Sequence, residues 1–152
     1  MNVEHIFFAA SSGGPQQACE RITVLAGKGI EGDRYFDRHD EPGQNLTLIE
    51  AEEIEAFLSE QQRPFDLSVT HRNLVTRGVR LNELVGREFM VGEVRLRGVE
   101  LCEPCLGLGQ ALAGEAITPA QVVKRLVHRG GLRADVLSGG LIEQGAALRP
   151  LD

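Results

Sequence analysis

Short strand-like runs closed off by glycine- or proline-bearing turns recur along this chain, and only two stretches carry a helical period. Val3 to Ala10 and Arg21 to Leu25 form two such runs, separated by the turn cluster Ser11-Ser12-Gly13-Gly14-Pro15. Further runs are Asn45 to Ile49, Leu74-Val75, Glu88 to Val91, Val94 to Leu101 and Leu132 to Leu137. The first helical stretch spans Glu50 to Gln61, where Ala51, Ile54, Phe57 and Leu58 share a face. The second opens at Thr118-Pro119, a cap followed by proline at the first helical position, and extends to His128-Arg129 before Gly130-Gly131. Leu81 to Val85 has room for one helical turn. A parallel α/β sheet needs helices at regular intervals, so this pattern predicts a mainly β fold, a curled sheet or β-barrel with a few inserted helices.

With 152 residues the chain has the size of one domain, residues 1–152, able to bury a core without disulfides. Ile6 to Ala10 is too short and too poorly flanked by basic residues for a signal peptide, and no run reaches membrane-spanning length. Three cysteines, an odd number, without an export signal predict reduced thiols and a cytoplasmic location. A net charge of −6 argues against nucleic acid or an anionic membrane as partner. Residues 121–133 nevertheless hold Lys124, Arg125, Arg129 and Arg133 with no acid, so a local anion site is compatible with the acidic total.

Two of the cysteines stand together in Cys102-Glu103-Pro104-Cys105, after the strand-like run Val94 to Leu101. Structural zinc would need two further ligands, and Cys19, His5, His39, His71 and His128 lack the spacing. Dithiol exchange of the thioredoxin type would place the pair at the start of a long helix, and Leu106-Gly107-Leu108-Gly109 opens a helix poorly. Beside these two less favoured readings stand one working thiolate, as metal ligand or sulfur carrier, and two thiols buried as small hydrophobes.

Three other segments could surround this thiol. In Gly29-Ile30-Glu31-Gly32-Asp33-Arg34, glycines would let backbone N–H groups approach a ligand, while Asp33 and Arg34 either contact it or hold the loop in shape. His71-Arg72-Asn73 offers three kinds of donor, for a ligand or for hydrogen bonding at a strand end. In His128-Arg129-Gly130-Gly131-Leu132-Arg133 the first two cations also complement the helix dipole.

In order and spacing these pieces resemble the MOSC family, named for the C-terminal domain of molybdenum cofactor sulfurases. The likeness runs through Gly29 to Tyr35, Asn45-Leu46-Thr47-Leu48-Ile49-Glu50, Arg72-Asn73-Leu74-Val75-Thr76-Arg77-Gly78, Leu81 to Gly86, Leu101 to Cys105 and Arg129 to Ala134. The resemblance implies a MOSC-type β-barrel with a pocket for the molybdenum cofactor, a molybdopterin with one phosphate, or for sulfur in transit. The family's hallmark cysteine matches Cys105, implying a metal ligand and catalytic residue, and an Asn in the relatives' cofactor site matches Asn73. Gly32, Asp33, Arg34, His71, Arg72, Arg129 and Arg133 complete the implied cofactor site. Relatives read Arg-Pro-Asn where this chain has His71-Arg72-Asn73, and often Gly-Asp where it has Gly145-Ala146. Relatives that reduce N-hydroxylated bases also carry an N-terminal β-barrel that completes the substrate site, which this chain is expected to lack.

The expected activity is reduction of a small N-hydroxylated substrate at molybdenum held by Cys105, with electrons from a partner protein. The alternatives are a non-enzymatic carrier with a persulfide on Cys105, loaded by a sulfur-donor protein, and a dithiol oxidoreductase.

Overall fold

The computed structural model describes residues 1–38 and 41–151; His39 lies outside the described residues. In chain order the elements are β1 (Asn2–Phe8), β2 (Gln17–Cys19), β3 (Arg21–Leu25), β4 (Gly29–Ile30), β5 (Leu46–Glu50), α1 (Ala51–Glu60) and β6 (Leu74–Arg77). They continue with β7 (Glu88–Val91), β8 (Val94–Leu101), α2 (Leu106–Leu112), α3 (Pro119–Leu126), β9 (Leu132–Ser138), β10 (Gly140–Glu143) and β11 (Leu148–Pro150). Single 3-10 turns at Leu67–Thr70 and Leu81–Leu84 precede β6 and β7.

The fold is mainly β with few helices, as the strand pattern predicts. Eight strands pair in the order β11-β7-β8-β9-β5-β6-β1-β2, and β10-β3-β4 form a second sheet. β5 and β6 are parallel, Leu48 opposite Leu74, with α1 in the crossover between them. No regular ladder among the described residues closes the large sheet into a ring. Its two limbs meet at an isolated bridge, Asn2 to Ala147, where Val3 N–H donates to the Ala146 carbonyl at 2.9 Å, Gly145 N–H to the Val3 carbonyl at 2.7 Å and Leu148 N–H to the Met1 carbonyl at 3.0 Å.

Strand periodicity sorts the core into two. Along β1, β5 and β6 successive residues point to opposite faces, and the pairs Ile6/Phe7, Leu48/Ile49 and Leu74/Val75 divide accordingly. Ile6, Leu48 and Leu74 join Phe89, Val91, Leu96 and Leu132 inside the curl. Phe7, Ile49 and Val75 meet Ile54, Phe57 and Leu58 of α1, Leu108 and Leu112 of α2, and Val122 and Leu126 of α3. Both faces of β5 and β6 are covered, so even their polar residues Thr47, Glu50, Thr76 and Arg77 are buried or half-buried.

The helices depart from expectation in two places. α3 has the expected capping box, Thr118 with Gln121, and proline inside it, but ends at Leu126 because His128 turns to φ +62°. Leu106-Gly107-Leu108-Gly109, expected to open a helix poorly, does form the start of α2. Packing overrides propensity there: a Cβ on Gly109 would stand 2.7 Å from the Pro119 carbonyl oxygen, so glycine is what lets α2 and α3 approach.

Candidate functional site

A cavity of about 550 Å³ opens on the helical side of the sheet. Its floor is Thr47 of β5, the Thr47 register partner Arg133 of β9, and Asn73 at the foot of β6. These residues alternate with Leu46, Leu48, Leu74 and Leu132, so burial of the leucines turns them toward the helices. Cys102, Cys105, Gly107 and Leu108 form the wall at the start of α2, with Thr70, His71 and Arg72 beside them and Arg34 and Tyr35 at the rim.

The two cysteines are not equivalent. Cys102 is buried and Cys105 exposed. Cys102 is clamped through its backbone N–H, which donates to the Gly131 carbonyl at 2.7 Å. Gly130 lies so close that a Cβ there would be 2.3 Å from the Cys102 carbonyl oxygen, and a Cβ on Gly131, at φ +110°, would be 2.1 Å from that of Leu48. The glycine pair expected to end a helix therefore seats the cysteine loop. Cys105 is the N-cap residue of α2. Its thiol lies below the ordinary thiol value because of the Leu108 N–H, opposed by partial burial and assisted by the Gly107 N–H and the Arg72 guanidinium. It makes no regular capping hydrogen bond, so these amides act as aligned dipoles.

Arg72 reaches this place by spanning the site. Its Nε donates to the Gly130 carbonyl at 2.9 Å and its Nη1 to the Thr70 carbonyl at 3.3 Å. His71 sits at φ +59°, its ring Nδ1 3.5 Å from Gln16 Nε2. Burial, then the charges of Arg34 and Arg72, push its pKa down, favouring the neutral ring. Asn73 is buried and largely committed. Its Oδ1 accepts from the Thr47 N–H at 3.0 Å and hydroxyl at 3.1 Å, and its Nδ2 donates to the Phe7 carbonyl at 3.1 Å.

The remaining expected site residues divide. Arg133 lines the cavity, and its Nε is 3.8 Å from Glu100 Oε1. Asp33 is buried as a loop brace, accepting from the Ala9 N–H and the Tyr35 N–H, both at 3.1 Å. Gly32 adopts φ +86° in the turn and is not among the cavity-lining residues. Arg129 lies elsewhere, in a shallow groove with Lys124, Arg125 and Val127, 3.7 Å from Glu53. Arg34, His71, Arg72, Asn73, Arg133 and Cys105 are thus brought together, and Gly32, Asp33 and Arg129 are not. Thr47 and Tyr35 line the same cavity and were not singled out from sequence, although strand alternation against Leu46 and Leu48 marks Thr47.

A family model for the MOSC domain matches residues 36–149. The YuaD protein from Bacillus subtilis aligns with a TM-score of 0.82 at 15% identity, over 96% of this chain and 92% of that one. YiiM from Geobacillus stearothermophilus gives 0.77 at 14% identity, over 99% and 75% of the two chains. YiiM from Escherichia coli gives 0.71 at 18%, over 100% and 70%. Identities this low speak to the fold alone. No curated protein matches the chain. The family match takes in β5, the segment leading into β6, the cysteine loop and the start of β9, the parts that enclose most of the cavity, and on that match the chain belongs to the MOSC domain family.

Proposed function

We propose that this protein binds a molybdenum–pterin cofactor in the cavity through Cys105 and reduces small N-hydroxylated substrates there. The family is associated with molybdenum cofactor binding. The observation that carries the reading is the exposed, acid-shifted Cys105 thiol on a cavity of about 550 Å³ flanked by Arg72 and Arg133. The donor set suits such a group. Among the described residues no three His, Cys, Asp or Glu side chains cluster as metal ligands, so a metal at Cys105 would take its remaining donors from a ligand such as a dithiolene.

In this reading Cys105 supplies the single soft donor of the protein, and Arg133, with the free edge of Arg72, holds the phosphate. The cofactor would supply a redox metal able to take oxygen from an N–OH group. His71, whose resting ring is favoured neutral, relays a proton to the substrate by taking one up as the imidazolium and releasing it to the N–OH group, returning to the neutral ring. Reduction of N–OH to N–H consumes two electrons and two protons and releases water, with the electrons delivered by a separate donor protein.

Protein made in a host competent in molybdopterin synthesis is expected to contain molybdenum and pterin and to reduce an amidoxime. Cys105→Ser is expected to bring molybdenum to background and Cys102→Ser to retain most of it. Background molybdenum in the wild type, or equal losses in the two variants, would sink the reading.

Reachability of the same thiol from solvent supports a second reading, a persulfide carrier, since a readily ionised and accessible thiol is a sulfur acceptor. Persulfide on Cys105 by mass spectrometry in molybdenum-free protein would favour it. Dithiol exchange has less support, because α2 begins only after the second cysteine and the first is buried.

A further inference from the structure

Tyr35 lines the cavity without a task in the reading above. Tyr35 is 42% exposed at the rim, and its setting is unusually fixed for an exposed aromatic side chain. Its N–H donates to buried Asp33, 3.1 Å from Oδ2, and the Arg34 guanidinium lies over its ring with Cζ 4.6 Å from the centroid. Arg34 is itself braced: its side chain is 12% exposed, its Nη1 is 3.4 Å from Asp33 Oδ1 and its Nη2 donates to the His71 carbonyl at 3.5 Å. Arg38 is a second guanidinium neighbour, 5.9 Å from the ring centroid and exposed.

We propose that Tyr35 is a ligand-binding residue whose ring, backed by Arg34, forms an aromatic wall at the mouth of the cavity for a planar nitrogen heterocycle. Resting on the cofactor reading, this heterocycle is the pterin. A ring already held against a half-buried, braced guanidinium loses little rotamer freedom when a second planar group stacks on it, so the contact contributes to affinity rather than being spent on ordering. Arg34 then acts on the ligand through Tyr35. Its guanidinium is engaged by Asp33, the His71 carbonyl and the ring, which leaves the phosphate to Arg72 and Arg133.

The chain has one tyrosine and no tryptophan, so tyrosine emission reports on this one place. Cofactor-free wild type, Tyr35→Phe and Tyr35→Ala would be titrated with 6-carboxypterin, read by anisotropy of the pterin and, in the wild type, by tyrosine quenching. The same three proteins, isolated from a cofactor-competent host, would be assayed for bound pterin and molybdenum. Tyr35→Phe should bind like the wild type, and Tyr35→Ala about tenfold more weakly, the scale of a lost stacking partner. Thermal melting of Tyr35→Ala checks that this exposed position leaves the fold intact. Equal binding by Tyr35→Ala and a wild type that retains molybdenum and pterin would overturn the inference and leave the cofactor reading standing. A wild type without molybdenum whose 6-carboxypterin binding still depends on the ring would keep Tyr35 as a heterocycle wall and remove the cofactor reading. A wild type that neither retains pterin nor binds the probe would remove both.

Discussion

At the scale of single residues, the site is defined by which polar groups are already spent. Asn73 and Asp33 look like ligands in the sequence, but their oxygens are taken up by Thr47 and by the loop amides of Ala9 and Tyr35. Cys105 stays available, and its surroundings favour the thiolate. Outside the cavity, Glu50 shows the opposite kind of perturbation. Burial raises its carboxyl above the ordinary value, only partly offset by the Leu81 N–H and by Arg80, with Glu53 and Glu52 adding to the rise. A carboxyl raised in the folded state holds its proton more tightly there, so its contribution is most favourable at low pH and is lost as pH rises through the raised value. Glu50→Gln keeps an acceptor for the Leu81 N–H and removes the charge. Its Tm should match the wild type near about pH 4 and exceed it increasingly toward neutrality. Melting curves across that range check this, and a difference that shrinks with rising pH would contradict the sign.

At the scale of elements, the cysteine loop depends on glycines for space more than on helix ends for charge. Gly131→Ala would place a Cβ 2.1 Å from the Leu48 carbonyl oxygen at φ +110°, so a loss of about 3 kcal/mol or more in denaturant unfolding is expected. Thr118→Ala removes only the capping box of α3 and should cost about 1 kcal/mol. Equal costs would mean that the backbone at Gly131 relaxes more easily than its packing indicates. The same reasoning accounts for α2: Gly107 and Gly109 lower helix propensity, and at Gly109 the approach of Pro119 and Val123 makes glycine an asset.

At the scale of the whole molecule, the sheet separates two cores with different duties. The inner one holds the curl together; the outer one carries α2, and with it Cys105, through Leu108 and Leu112. Phe89→Ala and Phe57→Ala should each cost about 3–5 kcal/mol, since both side chains are fully buried. Only Phe57→Ala, in the outer core, should also speed hydrogen exchange at the α2 amide of Gly109, which donates to the Cys105 carbonyl. Equal acceleration of that amide in both variants would show that the two cores loosen as one. No helix among the described residues is long and apolar enough to cross a membrane.

The longer strands, the α1 face of Ala51, Ile54, Phe57 and Leu58, and the Thr118 cap were legible in the sequence because each rests on side-chain periodicity or on a bond between near neighbours, whereas α2 and the short strands β2, β4, β10 and β11 were not. The cysteine loop, Arg34 and His71-Arg72-Asn73 were legible as motifs because their chemically distinctive residues are adjacent in the chain. The resemblance already singled out Cys105, but the burial of Cys102 beside it, the spending of Asn73, the removal of Arg129 from the cavity and the bracing of Tyr35 were decided by tertiary structure. Each depends on which distant carbonyl, carboxylate or guanidinium comes within about 3 Å to 5 Å, and nothing local in the chain encodes that proximity.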